Sequence, residues 1–243
     1  MSDESTTSVE TAEPASRGIP IWLWMISVFA SIAIGGAVLR YMPTSPQLPD
    51  RLRGLTGMSP AKDLSELNIL VVKNRFQSSV VGVGLLGLCF GLVGIPISRK
   101  PFTGALATLL AGGVTGFGVG AICGSLHPIF SAISVATPPE QDAHPLWMDV
   151  VPYSIVGLLL GLPFAIAYYW YGNQSQRKAF GLIALSGVVV GCAYPLLLTL
   201  FSSDISVEAF PPQDMNHLVL WLFLFGAGIV LSSILGSKGN RKV

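Results

Sequence analysis

Formal charge is what this chain has least of. Only 11% of its 243 residues are Asp, Glu, Lys or Arg, less than half the share of a soluble domain. A mean hydropathy of +0.63 leaves too little polar surface to cover a water-soluble core. A net charge of +1 excludes a broad electrostatic pull toward nucleic acid, and no nucleic-acid partner is expected. Cysteine is scarce as well. Cys89, Cys123 and Cys192 lie singly in apolar runs with no C-x-x-C pair, which excludes a metal knuckle of that type and gives no sign of a disulfide framework. A Walker A loop, an H-E-x-x-H pair and a dinucleotide fingerprint after a strand are also missing, and no cofactor is expected.

What the chain does have is long gaps between charges. Gly18–Leu39, Phe76–Ser98, Pro101–Pro139, Val150–Gln176, Ala179–Ser203 and Met215–Ser237 contain no Asp, Glu, Lys or Arg. Each is long enough for the ~20 residues that cross a bilayer core as a helix. The expectation is an all-α, polytopic membrane helix bundle of six transmembrane helices, with spans 19–41, 76–98, 102–126, 150–171, 179–202 and 215–236. A tail over 1–17, rich in Ser, Thr and Glu, is predicted to be disordered, and 238–243 is a basic tail. The first stretch has no basic region ahead of it and is long enough to span, so it reads as a retained helix and not a signal peptide. Trp22, Trp24 and Tyr41 would anchor it at the two interfaces. The third stretch is too long for one crossing. Its membrane part is predicted to stop near Gly124 or Leu126, before His127-Pro128, with the rest as a loop or short surface helix.

Within that third stretch small residues recur every fourth position: Gly104, Thr108, Gly112, Gly116, Gly120 and Gly124. In water such a row weakens a helix, whereas in lipid it lets a second backbone come close. The pattern is a glycine zipper. Shorter rows follow on other spans, with Gly84, Gly87, Gly91 and Gly94 on the second, Gly157, Gly161 and Ala165 on the fourth, Gly187 and Gly191 on the fifth, and Ser27, Ser31 and Gly35 on the first. Gly104, Thr108, Gly112, Gly116, Gly120, Gly124, Gly87, Gly91, Gly157, Gly161, Gly187 and Gly191 are the expected helix-packing residues. They serve packing inside one bundle or association between subunits. Gly116-x-Gly118-x-Gly120 looks like a nucleotide motif but lies in an apolar helix, where packing is the simpler account.

Charge also orders the connections. Arg99-Lys100, Arg177-Lys178 and the tail bases Lys238, Arg241 and Lys242 alternate with loops carrying Glu140, Asp142, Asp149, Asp204, Glu208 and Asp214. Positive-inside then places both termini in the cytoplasm of a multi-pass cell-membrane protein, most simply in a bacterial inner membrane. The connection 42–76 disagrees, because it carries Arg51, Arg53, Lys62, Lys73 and Arg75 on the opposite side. Within it Ser59-Pro60 reads as a helix start, and Ala61–Val72 as an interfacial helix leading into span two. Ser79-Val80-Val81-Gly82 echoes Ser154-Ile155-Val156-Gly157, and Arg99-Lys100-Pro101-Phe102 echoes Arg177-Lys178-Ala179-Phe180, which suggests a parallel hairpin repeat against a background of chance Gly and Val matches.

Chemistry is hard to place. No Asp, Glu, Lys, Arg, Asn or Gln falls in the proposed cores, which argues against ion-coupled transport through carboxylates. Ser186 and His217 would lie roughly 20 Å apart in depth, too far for a protease pair. His127, His144 and His217 map to one face with Asp142, Asp149, Asp204 and Asp214 and are the candidate metal ligands, although Asp214 and Asn216 serve as well as helix caps. Tyr168-Tyr169-Trp170-Tyr171 falls where an interfacial aromatic belt belongs. The resulting expectation is a non-catalytic integral membrane protein with a packing or assembly role, its partners being the lipid bilayer and either a second copy (a homo-oligomer) or other membrane subunits. The alternative is a passive facilitator or channel for a small uncharged solute; an enzyme comes third.

Overall fold

The computed structural model describes residues 18–41, 49, 52, 60–98, 101–136, 147–201, 212 and 214–238, with backbone alone over 127–136 and 147–149. Among the described residues every regular element is helical: α1 (Ile21–Tyr41), α2 (Ala61–Gly91), α3 (Gly94–Ile97), α4 (Pro101–Ala136), α5 (Trp147–Tyr171), α6 (Gln174–Arg177), α7 (Phe180–Phe201) and α8 (Met215–Lys238). Six of these helices are long and apolar enough to cross a membrane, the second being α2 continued through α3. The tail 1–17 and most of the connection 42–59 lie outside the described residues. The long helices stand in a closed ring in chain order, α1, α2, α4, α5, α7, α8 and back to α1, with α2 and α5 also touching across it. We call the end where α1 begins the near end.

Two helix pairs in this ring touch backbone to backbone, and glycine is what permits it. Along α2 and α4, a Cβ on Gly87 would stand 2.6 Å from the Gly116 Cα, one on Gly91 2.7 Å from the Leu109 Cα, and one on Gly120 2.6 Å from the Ser79 carbonyl oxygen. Along α5 and α7, a Cβ on Gly191 would stand 2.5 Å from the Ser154 Cα, and one on Gly187 2.9 Å from the Leu158 nitrogen. No real Cβ fits at such distances. The two pairs also share a contact register. Gly116 and Gly120 meet the turns at Val83 and Ser79, while Gly187 and Gly191 meet those at Gly157 and Tyr153. With Ser79 set against Ser154, these contacts coincide within one residue.

The interior of the ring is filled by aromatic rings. Trp24, Phe90, Phe164, Tyr168, Trp221 and Phe225, from α1, α2, α5 and α8, are all less than 2% exposed. Their centroids form a connected chain: Trp24–Tyr168 at 4.7 Å, Trp24–Phe164 at 6.5 Å, Phe164–Phe90 at 5.1 Å, Phe90–Phe225 at 5.5 Å and Phe225–Trp221 at 5.6 Å. Most serine and threonine hydroxyls on the spans are absorbed locally, the buried Ser79 hydroxyl being left without a partner among the described residues. Ser27, Ser31, Thr108, Thr115, Ser154, Ser186 and Ser233 each donate to a carbonyl three or four residues back on their own helix.

Two sequence expectations need correction. Ala61–Val72 is helical, but it is not a separate interfacial helix: it runs unbroken into span two as part of α2. Gly82 lies beside Leu39, near the last turn of α1, so α2 continues ~30 Å beyond that level at 1.5 Å per residue. Likewise the third apolar span ends at Leu126 as expected, but the residues after it are neither a loop nor a separate short helix: α4 passes through His127-Pro128 to Ala136. Gly124 packs against Phe76, so this register carries the two overshoots outward side by side. One proline costs a helix a single donor, and a chain already paired with a neighbour has no better way to satisfy its remaining backbone groups. Pro152 and Pro163 in α5 and Pro195 in α7 are carried the same way. The chain does break at Leu92-Val93, just ahead of Pro96. Every described Asp, Glu, Lys and Arg lies on the α2 overshoot, at a helix end or in a turn.

The close approaches make a directional prediction. Gly120→Ala and Gly187→Ala should each lower stability in detergent unfolding by about 1–3 kcal/mol, the usual cost of overpacking. Gly118, whose Cβ would meet nothing within 4 Å, should accept Ala neutrally or with a gain of up to ~1 kcal/mol from helix propensity. Equal tolerance at all three positions would contradict the close-packed pairing.

Candidate functional site

The expected packing residues divide between the two pairs. Gly112, Gly116, Gly120 and Gly124 of α4 face Gly87, Val83, Ser79 and Phe76 of α2, and Gly91 faces Thr108. Gly104 departs from the row's partner and meets Ser98 and the Tyr171 hydroxyl. On the other pair Gly157 meets Gly187, and Gly191 meets Tyr153. Gly161 makes only ordinary contact, 3.5 Å from the Ile183 carbonyl oxygen.

The residues considered for chemistry are dispersed. Ser186 is buried and donates to the Ile183 carbonyl at 2.6 Å, while His217 lies in the first turn of α8 at the far end. Among the described residues no three His, Cys, Asp or Glu side chains gather as a metal site. The side chains of His127 and His144 fall outside the described residues. Asp214 caps α8: its Oδ1 accepts from the backbone N–H of Asn216 at 2.8 Å and of His217 at 3.1 Å. Those two bonds hold the carboxyl below its ordinary range.

The most developed polar arrangement lies at the near end, and its centre is Gln176. The side-chain oxygen accepts from the Ile19 N–H at 2.9 Å, and its amide nitrogen donates to the Ile19 carbonyl at 2.8 Å. One side chain thus pairs both backbone groups of the residue that leads into α1. The same oxygen accepts from the Asn173 N–H at 3.0 Å, while Asn173 Oδ1 accepts from the Gln176 N–H at 2.9 Å. This reciprocal capping box fixes the single turn of α6. Ile19 and Gln176 are 7% and 8% exposed. A Cβ on Gly18 would stand 2.6 Å from the Gln176 oxygen, so a side chain there would have to displace the amides that make the lock. Beside this lock the Tyr168 hydroxyl donates to the Ser233 carbonyl at 3.5 Å, bringing in α8. The lock therefore joins the start of α1, the α5–α7 turn and, through Tyr168, the end of α8.

Gln176 is absent from the sequence-level candidates, where it merely closes the fourth apolar stretch. A signal was present: Asn173-x-x-Gln176 has the spacing of a capping box. Its second role, gripping a backbone 157 residues away in sequence, has no local signature. Outside the lock lies a basic turn. The Arg177 guanidinium sits over the Tyr169 ring at 5.6 Å, and that ring meets Phe180 edge-on at 5.9 Å.

Compared with protein-family models, with curated proteins and with solved structures, the chain matches none.

Gln176→Leu keeps the volume and strands the Ile19 backbone groups, at about 1–3 kcal/mol for each buried group left unpaired. Trypsin acting after Arg17 must draw Gly18 and Ile19 into its cleft. Cleavage there should be slow in the wild-type protein and many-fold faster in Gln176→Leu, as read by intact-mass time courses. Equal rates would show that the lock does not hold the chain.

Proposed function

We propose that the protein is a non-catalytic, multi-pass component of a cell membrane, most simply a bacterial inner membrane, whose role is packing and assembly with other membrane subunits. The observation that carries this reading is the filled interior. Six aromatic side chains occupy the space inside the ring where a solute path would run. A path for an uncharged solute also needs hydroxyls or carbonyls turned toward it, and Thr108, Thr115, Ser154 and Ser186 spend theirs on their own helices, although the buried Ser79 hydroxyl has no partner among the described residues. The glycine rows are consumed by the α2–α4 and α5–α7 pairs, so partners would meet the outward, apolar faces instead. Phe102, Leu110, Val114, Val189, Phe223 and Leu231 are among the exposed residues of those faces.

The charges at the near end support a reading of the orientation. Arg177 and Lys178 lie there, whereas the described acids Asp63, Glu66 and Asp214 belong to the far end. Positive-inside then puts the near end, and both termini, in the cytoplasm. Four described bases share the far side: Arg40 in the last turn of α1, and Lys62, Lys73 and Arg75, which ride on the α2 overshoot beyond the level where α1 ends.

Stopped-flow shrinkage of proteoliposomes tests the assignment. Permeability to glycerol and urea should equal that of protein-free vesicles of the same lipid. A protein-dependent rise abolished by Phe164→Ala, or enlarged by it, would make the interior a pathway and overturn the reading.

A further inference from the structure

The basic turn at the near end has more organisation than a loop needs. Arg177 and Lys178 are exposed, and the described acids all lie at the far end, so no described carboxylate is within reach of either base. The guanidinium is not free to sweep. Its central carbon lies over the Tyr169 ring at 5.6 Å, Tyr169 is propped by Phe180, and the turn beneath is fixed by the Asn173–Gln176 capping box. A charge held in place with no carboxylate beside it among the described residues suits a ligand that brings one.

The surroundings indicate what kind of ligand. Tyr169 and Trp170 are 45% and 49% exposed, on the last turn of α5, where a span meets the headgroup layer. Three residues after Lys178, past Phe180 and the buried Ala179, comes Gly181, beside which a Cβ would find open space. Below it Leu182, Leu185 and Val189 form an exposed apolar strip along α7. Phosphate-binding charge above, an aromatic shelf beside and an uncovered strip leading down the helix match the parts of a phospholipid in order. We infer that Arg177 and Lys178, braced by Tyr169, form a binding site for the headgroup of an anionic phospholipid whose acyl chain lies along α7. The inference rests on the bilayer placement alone. The permeability outcome above leaves it untouched.

Native mass spectrometry of the full-length protein, equilibrated in mild detergent with equimolar phosphatidylglycerol and phosphatidylcholine, tests it. Wild-type protein should retain phosphatidylglycerol preferentially. A membrane-proximal base contributes roughly fivefold to binding an anionic lipid, so Arg177→Gln with Lys178→Gln should cut the preference by roughly 25-fold. The pair Lys62→Gln with Lys73→Gln, which removes the same charge at the far end, should leave it unchanged. Tyr169→Leu keeps every charge and should still reduce the preference several-fold, because the guanidinium loses its brace. In wild-type protein the preference should also fall as the ionic strength rises from ~0.1 M to ~1 M. An unchanged lipid ratio in the Arg177/Lys178 variant would overturn the proposal. So would displacement of the lipid by millimolar inorganic phosphate, which would mark a site for free phosphate and not for a lipid headgroup.

Discussion

Helices in hydrocarbon gain nothing by hiding apolar side chains from one another, since the solvent is as apolar as they are. What joins them is dispersion between surfaces that fit, strengthened as the backbones come closer. In this chain the closest fits are at Gly87–Gly116, Gly120–Ser79, Gly157–Gly187 and Gly191–Ser154, where a single methyl group would collide with main-chain atoms. Those contacts make two units, α2–α4 and α5–α7, each a hairpin whose arms run antiparallel. Because both use nearly the same register, two similar slabs are set into one ring.

The slabs leave a space between them, and its filling is of another kind. Large rings from α1, α2, α5 and α8 occupy it, held by offset and edge contacts and not by backbone approach. Here α1 is the helix with most to gain from extra fastening, because no glycine seam binds it like those of the two hairpins. The Gln176 lock supplies that fastening at the near end, where its amide pairs both backbone groups of Ile19, the residue that leads into α1. The same lock stiffens the turn that carries Arg177 and Lys178. Packing, closure of the ring and the proposed lipid contact therefore share one local structure.

Much of the architecture was legible because charge is so expensive in lipid. Charge-free gaps delimit six helices, and four-residue spacing marks the faces of closest approach. That spacing did not say which helix each row would face. Gly112 and Gly187 sit in similar rows, and only the folded chain shows that both are used within hairpins. The overshoots of α2 and α4 were not legible either. Lys73 and Arg75 close the charge-free stretch, but a helix has no reason to end there when a partner helix continues beside it. Pro128 misled for a related reason: it reads as a stop in an isolated helix, and the chain passes through it. Gln176 was missed since its partner, Ile19, is distant in sequence and contributes only main-chain atoms.

The central claim is that the glycine seams close within one chain. Ser154 on α5 lies with its Oγ 3.1 Å from the Cys192 sulfur on α7, at the far end of the second seam. Ser154→Cys, in a protein with Cys89 and Cys123 replaced by Ala, sets two thiols against each other at that point. Mild oxidation in membranes should join them within a single polypeptide, shielding both from alkylation and giving no dimer on a non-reducing gel. Two thiols that stay reactive, or a disulfide linking two chains, would mean that α5 and α7 do not pair as described.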